Sequence, residues 1–486
     1  DPDVIRVEDT YYMVSTTMHF MPGCEILQSF DLVHWEHATY VYETLDHTDA
    51  QQLKSGQNIY GQGMWAASLR YHEGRFYICF VANDTRKTYL YTSEKIDGPW
   101  KKQLIEGFYH DGSLLFDEDG RNYIVYGNDE IWITELNEDL TAPKKGGLHR
   151  LLVSDHKNPE LGYEGSHIQK INGYYYIFLI HSLRDRWMRT EACFYSDSLE
   201  GEFTGGDVLC DDRGYCGQGV AQGGIVDTPD GKWYAMLFQD SGAVGRIPIL
   251  VPVTWKDHFP FFGQNGHVPE EIEVHSTRPE YIYQPLVGSD DFCNGLLPRW
   301  QFNHDPDPRY YHLDALQGTY TITTREVCTE LTQAVNTLTQ RMSYPSCAAE
   351  VTVDASALKE GDVAGLCALQ GCYAAVGITK HHGKYEVLML DKKEDGILDM
   401  TERTVVESHQ MDFRLEADFC NMKDEARCYY RVNKGDWLPI GTVHKLYFKL
   451  DHFTGCRFGL FCYAAEETGG SACFRDFKYY DVDEIS

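Results

Sequence analysis

The feature that most constrains this chain is a unit that returns five times within its first 280 or so residues. It appears as RVEDTYYMVST (Arg6–Thr16), RYHEGRFYICFV (Arg70–Val81), LFDEDGRNYIVYG (Leu115–Gly127), IQKINGYYYIFLI (Ile168–Ile180) and IVDTPDGKWYAMLF (Ile225–Phe238). Each copy reads as an apolar strand, a tight turn on Gly or Asp, an aromatic pair and a second apolar strand. Asp-Gly and Asn-Gly are strong hairpin signals because both central residues accept positive φ. Further hairpins lie between copies, such as Thr88–Trp100 and Glu191–Phe203. Helical periodicity is scarce, so the chain reads as all-β. Aromatic pairs recur every roughly 46 to 65 residues, a blade-like period, and five phased copies predict a five-bladed β-propeller over residues 1–285.

After Pro285 the rhythm stops. From Ser289 the chain is still strand-rich (TYTITT, AAEVTVDAS, KYEVLMLD, CRFGLFCYA) but carries no blade repeat. Alternation without phasing predicts a two-sheet β-sandwich over 286–486, with the boundary between Ile282 and Asp290.

Charge narrows the partners. Forty-three Lys+Arg against 74 Asp+Glu give a formal net charge of −31, which repels phosphate backbones and anionic lipid. Nucleic acid and membrane surfaces are excluded as natural partners, whereas a neutral, hydroxyl-rich ligand meets no such repulsion. The longest apolar stretch, Tyr174–Ile180, is far short of the roughly 20 residues a spanning helix needs. Fifteen cysteines include no C-x-x-C pair, and several, such as Cys79 and Cys193, sit in predicted buried strands. Free buried thiols together with no visible signal peptide predict a cytoplasmic setting, although the sequence opens at Asp1 without Met. The P-loop, G-x-S-x-G and H-E-x-x-H patterns are missing from the sequence. The histidines form no metal-spaced cluster, and His181, His258 and His267 read as ordinary loop or core residues.

Three carboxylates stand out against the repeat. Asp1 (DPDVIRV), Asp111 (FYHDGSLLF) and Glu164 (GYEGSHIQ) precede the innermost strands of the first, third and fourth blades at similar offsets. Each alone is ordinary turn chemistry. Equivalent offsets in a radial repeat set side chains at similar radius and height, so the three are expected to face one another across the channel. Paired carboxylates suit glycosidic cleavage, where one acts as acid and the other as base, about 6.5–9.5 Å apart in inverting enzymes. A third carboxylate beside the acid would raise its pKa.

At these residues the chain resembles glycoside hydrolase family 43, the five-bladed β-xylosidases and α-L-arabinofuranosidases. The resemblance rests on DPDVIRVEDTYYMVSTT, GMWAASLRYHEGRFYICF, HDGSLLFDEDGRNYIVYG, EGSHIQKINGYYYIF and GRIPILVPVTW. The segment from Ser289 is similar to the C-terminal β-sandwich of β-xylosidase-type members. The resemblance implies that Asp1 is the catalytic base, with Asp3 as its competitor. It implies Glu164 as general acid and Asp111 as the residue that tunes and orients it. It further implies that Trp65 packs against the sugar and that Arg246 lies at the floor of the site, pairing with Asp111. His19 and Met21 are expected to line the pocket. Where many relatives carry a channel histidine, this chain has Gln222, whose amide is expected to hydrogen-bond a substrate hydroxyl or a water but makes a weaker case for a metal there; none is assigned. Acidic turns at Asp290–Asp291 and Asp305–Asp307 are the candidates for a structural calcium, and no cofactor is required.

The expectation is therefore an inverting exo-glycosidase releasing terminal β-D-xylose or α-L-arabinofuranose from small xylan-derived oligosaccharides. Two alternatives keep parts of this reading: a non-catalytic carbohydrate-binding propeller, and an endo-acting arabinanase with an open groove.

Overall fold

The computed structural model describes residues 1–481. Five four-stranded antiparallel sheets stand around a common axis and form a five-bladed propeller. Their innermost strands are Asp3–Val7, Met64–His72, Ser113–Phe116, Glu164–Ile171 and Ile225–Asp227. The hairpins form where the repeat predicts them. At Asn172-Gly173 both turn residues have positive φ (51° and 84°), and Ile171 pairs with Tyr174 across the turn. That two-residue turn matches the twist of the strands it joins.

Aliphatic and aromatic side chains fill the spaces between blades. The ring closes by packing of the fifth blade on the first: Val4, Tyr11 and Met13 meet Val226, Tyr234 and Met236. An Arg6–Asp227 ion pair ties the two inner strands. On the axis, Asp3 is fully buried and accepts from Leu69 N–H (2.7 Å) and Arg70 Nη1 (2.8 Å), with His167 Nδ1 at 3.1 Å. Burial alone would raise its pKa, but Arg70 and His167 outweigh that and hold the carboxyl below its usual range.

The last blade strand ends at Phe262. From there the chain runs as a strap over the rim of the first blade, where Arg278 pairs with Asp9 and Tyr281 donates to Glu36. Beyond it lie an eight-stranded and a seven-stranded sheet, packed face to face as a β-sandwich over a core that includes Leu338, Val351, Phe413, Leu460 and Phe474. All fifteen cysteines are unpaired.

One connection between the two units bears on the site. Phe20–Met21, within the first blade's sequence, leaves the propeller and becomes the edge strand of the eight-stranded sheet, pairing with Phe302 and Asn303. The strand Arg457–Tyr463 lies in the same sheet, three places in from that edge. This pairing brings the loop preceding Arg457 against the propeller.

Candidate active site

Local backbone features aim each side chain. Asp111 has φ 47°, a region an Asp tolerates better than most residues. A Cβ on the following Gly112 would lie 2.9 Å from Ile124 and 3.0 Å from the Tyr109 carbonyl, so only glycine fits. Glu164 opens its strand at a register shift between Glu164 and His167. Trp65 sits in a matching shift between Met64 and Ala67. Such bulges re-aim side chains at the end of a strand. Gly165 has φ 63°, and its missing side chain leaves room for Gln222, whose amide packs where a Cβ would stand.

Asp111 and Glu164 come together at His110, while Asp1 is held by Thr16 and Arg246. Gly165 N–H donates to Asp111 Oδ2 (3.1 Å). His110 Nε2 lies 3.5 Å from Asp111 Oδ2 and 3.6 Å from Glu164 Oε2. Asn128 Nδ2 donates to the same Glu164 oxygen at 2.9 Å. Asp1 is buried, accepting from Thr16 Oγ1 (2.5 Å) and from Arg246 Nη1. Burial raises the Asp111 pKa, His110 opposes that, and the Glu164 charge adds to it; Arg246 reaches Asp111 at longer range. Asp111 in turn pushes His110 up to about 9, against the effect of its own burial.

Arg246 differs in its partner from the expectation. It pairs with Asp1 and, through Nε (3.2 Å), with Asp240 rather than with Asp111. The reason is register: Asp240 and Arg246 face each other across neighbouring strands of the fifth blade. Asp240 also binds Arg189, whose guanidinium burial pulls down to about 10. Arg189–Asp240–Arg246–Asp1 is thus one continuous chain of alternating charge. Buried charges cost least in such a paired arrangement.

Trp65 lies 6.2 Å from the His110 ring and meets Phe453 edge to face at 5.4 Å. Phe453 comes from the sandwich, is 2% exposed, and has the Arg246 guanidinium 4.2 Å from its ring centre. A cavity of about 450 Å³ between the first blade and the sandwich touches the site from one side, through Asp1, Thr16, Arg246 and Phe453; Asp111 and Glu164 do not line it.

His19 and Met21 do not line the pocket. Both are buried (0% and 1% exposed): His19 faces the seam with the sandwich beside the Phe20–Met21 strand, and Met21 packs into the apolar core of the first and second blades. The His19 ring lies among Phe20, Tyr60, His304 and His452. Gln222 is close to the residue after Glu164: besides covering Gly165, its backbone N–H donates to the buried Glu191 (2.7 Å). Asp3, the competitor of Asp1, is committed to Arg70 and His167 on the axis. His110, Asn128, Arg189, Asp240 and Phe453 are the site residues that sequence reasoning missed.

The acidic turns do not suit calcium. Asp290 accepts from Trp300 Nε1 and Phe292 N–H, and Asp307 is bound by Arg309, with Arg325 at 3.6 Å. Guanidinium groups stand at Asp307 where a cation would sit, His47 Nδ1 lies 2.6 Å from Asp305, and the Asp290 oxygens are taken up by N–H donors. Ligand atoms of His110, Asp111 and Glu164 lie within 4.8 Å of one another.

Residues 1–260 match the family model described as Glycosyl hydrolases family 43, and 289–480 match the Beta xylosidase C-terminal Concanavalin A-like domain. The chain belongs to glycosyl hydrolase family 43. This family 43 chain is 26% identical to a β-xylosidase of Formosa agariphila, over 99% of its own length and 87% of that protein. Among solved structures it resembles a bifunctional GH43-CE protein of Bacteroides eggerthii, with 42% identity and a TM-score of 0.92. The match covers 99% of this chain and 62% of that one, so the chain spans under two thirds of the Bacteroides protein. A second structure, a family 43 enzyme engineered to display both endo-xylanase and exo-arabinofuranosidase activity, gives 27% identity and a TM-score of 0.89, with 99% and 97% coverage. The family 43 chain is accordingly a glycosidase acting on carbohydrate.

Proposed function

We propose that the chain is an inverting exo-glycosidase that removes terminal β-D-xylose or α-L-arabinofuranose from small xylan-derived oligosaccharides, without a cofactor. The observation that carries this reading is the approach of Asp111 and Glu164 to one imidazole, His110, with Asp1 held on Arg246 beside Phe453 of the sandwich. Glu164 is the general acid: it is the most solvent-accessible of the three, and Asn128 fixes its orientation with the His110 ring 3.6 Å away. Asp1 is the base that takes a proton from the attacking water, oriented by Thr16 and Arg246. Asp111 holds the Glu164–Gly165 turn in place through the Gly165 N–H and faces His110. Single displacement leaves no glycosyl-enzyme intermediate.

A wall formed by a second domain favours cleavage from a chain end over an open groove that would admit internal bonds. The Formosa relative is a β-xylosidase, which supports a pentose in the pocket. The test is turnover of aryl β-xylosides and α-arabinofuranosides by wild type, Glu164→Gln and Asp111→Asn, with the first-formed anomer followed by NMR. Loss of about 10²-fold or more in each variant and initial inversion are expected. Near wild-type rates in both variants would remove the assignment, and initial retention would remove the single-displacement mechanism.

A further inference from the structure

Three histidines outside the catalytic trio are buried in the seam between propeller and sandwich: His19 (0% exposed), His304 (0%) and His452 (1%). They come from a first-blade loop, the start of the sandwich and the loop preceding the Arg457 strand. Both ring nitrogens of His19 and of His452 lack a hydrogen-bond partner, so these imidazoles are held by packing. His452 stacks on Tyr60 (5.4 Å, 30°) and meets His19 edge to face (5.4 Å, 75°). His304 packs on both His19 (4.8 Å) and Tyr60 (4.6 Å). The far side of this group is tied down. His304 Nε2 accepts the Ile59 N–H (3.0 Å), and the Tyr60 hydroxyl donates to the Thr332 carbonyl (2.8 Å) while accepting from Asn303 (2.7 Å).

Phe453, the residue after His452, is the sandwich's contribution to the pocket, lying on Arg246 and against Trp65. The loop has a second anchor past Phe453, where Cys456 N–H donates to Ala243 O (2.8 Å). There Gly455 approaches Val244 so closely that a Cβ would fall 2.1 Å from its carbonyl oxygen. Phe453 is therefore held between an aromatic socket on one side and a backbone clamp on the other. The clamp fixes the loop's height over the fifth blade. Of the two anchors, only the socket adjoins Phe453 in sequence.

We propose that His452, seated in the socket of Tyr60, His19 and His304, is the positioning residue that holds Phe453 over Arg246. The sandwich thereby completes the glycosidase pocket through one ring-on-ring contact across the seam. This rests on the reading of the pocket given under Proposed function.

A double-mutant cycle tests it. Kinetic constants on an aryl pentoside are measured for wild type, His452→Ala, Phe453→Ala and the double variant, with near-UV circular dichroism to check the fold. If His452 acts through Phe453, His452→Ala lowers kcat/KM about tenfold or more in the wild-type background. In the Phe453→Ala background the same change costs less than about twofold. His452→Phe, which keeps a ring in the socket, restores most of the activity and covers the case in which His452→Ala does not fold. Independent, multiplicative losses, or a folded but inactive His452→Phe, would overturn the proposal. A crystal structure of His452→Ala supplies a readout that needs no turnover. Displacement of Phe453 from Arg246 supports the proposal and an unmoved ring defeats it, even if wild type proves inactive on every pentoside and the functional reading fails.

Discussion

His110 Nε2 lies 3.5 Å from Asp111 Oδ2, and the two are consecutive residues whose side chains meet because Asp111 adopts a left-handed backbone conformation. The Asp111 charge therefore acts on the imidazole. Asp111 is the largest influence on His110, raising it to about 9 while burial works the other way. NMR titration of the His110 ring should show an imidazolium persisting well above neutrality. In Asp111→Asn the midpoint should fall by more than a unit toward the ordinary imidazole value of about 6.5. An unchanged midpoint would mean that Asp111 is not the group holding the proton there.

Asp240 separates two guanidinium groups that repel each other. Removing its charge leaves Arg189 and Arg246 facing across a buried space, Arg189 being 7% exposed. Breaking one member out of a buried charge network costs about 3–5 kcal/mol. Asp240→Asn should lower the unfolding free energy by an amount of that order, measured by urea titration. It should also reduce kcat/KM, since Arg246 loses the partner that sets its approach to Asp1. The double variant Asp240→Asn with Arg189→Met removes the unpaired neighbour and should recover much of the stability but not the activity.

Asp3 and Asp1 stand two residues apart with opposite assignments. Asp3 has no free carboxylate oxygen to offer a water, because Leu69 N–H and Arg70 occupy Oδ2 and His167 occupies Oδ1. Asp3→Asn should destabilise the propeller by about 3–5 kcal/mol, leaving Arg70 buried without its anion. Folded enzyme at low temperature should keep kcat within about tenfold of wild type, whereas folded Asp1→Asn, whose partner Arg246 keeps Asp240, should lose about 10²-fold or more. A dead but fully stable Asp3→Asn would reverse the two roles.

The blades were legible because hairpin turns and aromatic pairs are local, and a fivefold repeat leaves few ways to bury them. That Asp111 and Glu164 come together was legible by their phase in that repeat, and Trp65, picked out by its motif, stands 6.2 Å from the His110 ring. His110 was not, because His-Asp-Gly reads as ordinary turn chemistry until the fold sets the imidazole between two carboxylates. Asp240 carried a usable signal: it faces Arg246 across the hairpin that closes at Gly242–Val244. Phe453 and His452 carried none, since their partners lie in the propeller hundreds of residues away. His19 and Met21 were misplaced for the same reason. Nothing in STTMHFMPG tells that Phe20–Met21 will pair with Phe302 and Asn303 instead of following the blade.

The seam should weaken in acid. Burial, with help from His304, His452 and Arg457, lowers the His19 pKa well below its usual value, and burial with His452 lowers His304 to about 3. Both folded-state values lie below the unfolded value of about 6.5. Between about pH 6.5 and 3 the unfolded chain therefore binds more protons than the folded one, so stability is full above that window and falls as pH drops through it. Two charged neighbours act on this seam: Arg457, which lies over the Phe20 ring and repels any imidazolium formed nearby, and Asp451, whose carboxylate lies 3.6 Å from His452 Nδ1 and favours one there. His304→Gln keeps an acceptor for the Ile59 N–H but cannot take up the proton. Its melting temperature should fall less steeply than that of wild type between pH 7 and 4.5. Identical slopes would show that acid unfolds the molecule elsewhere first, and the buried imidazoles would then have no part in its acid sensitivity.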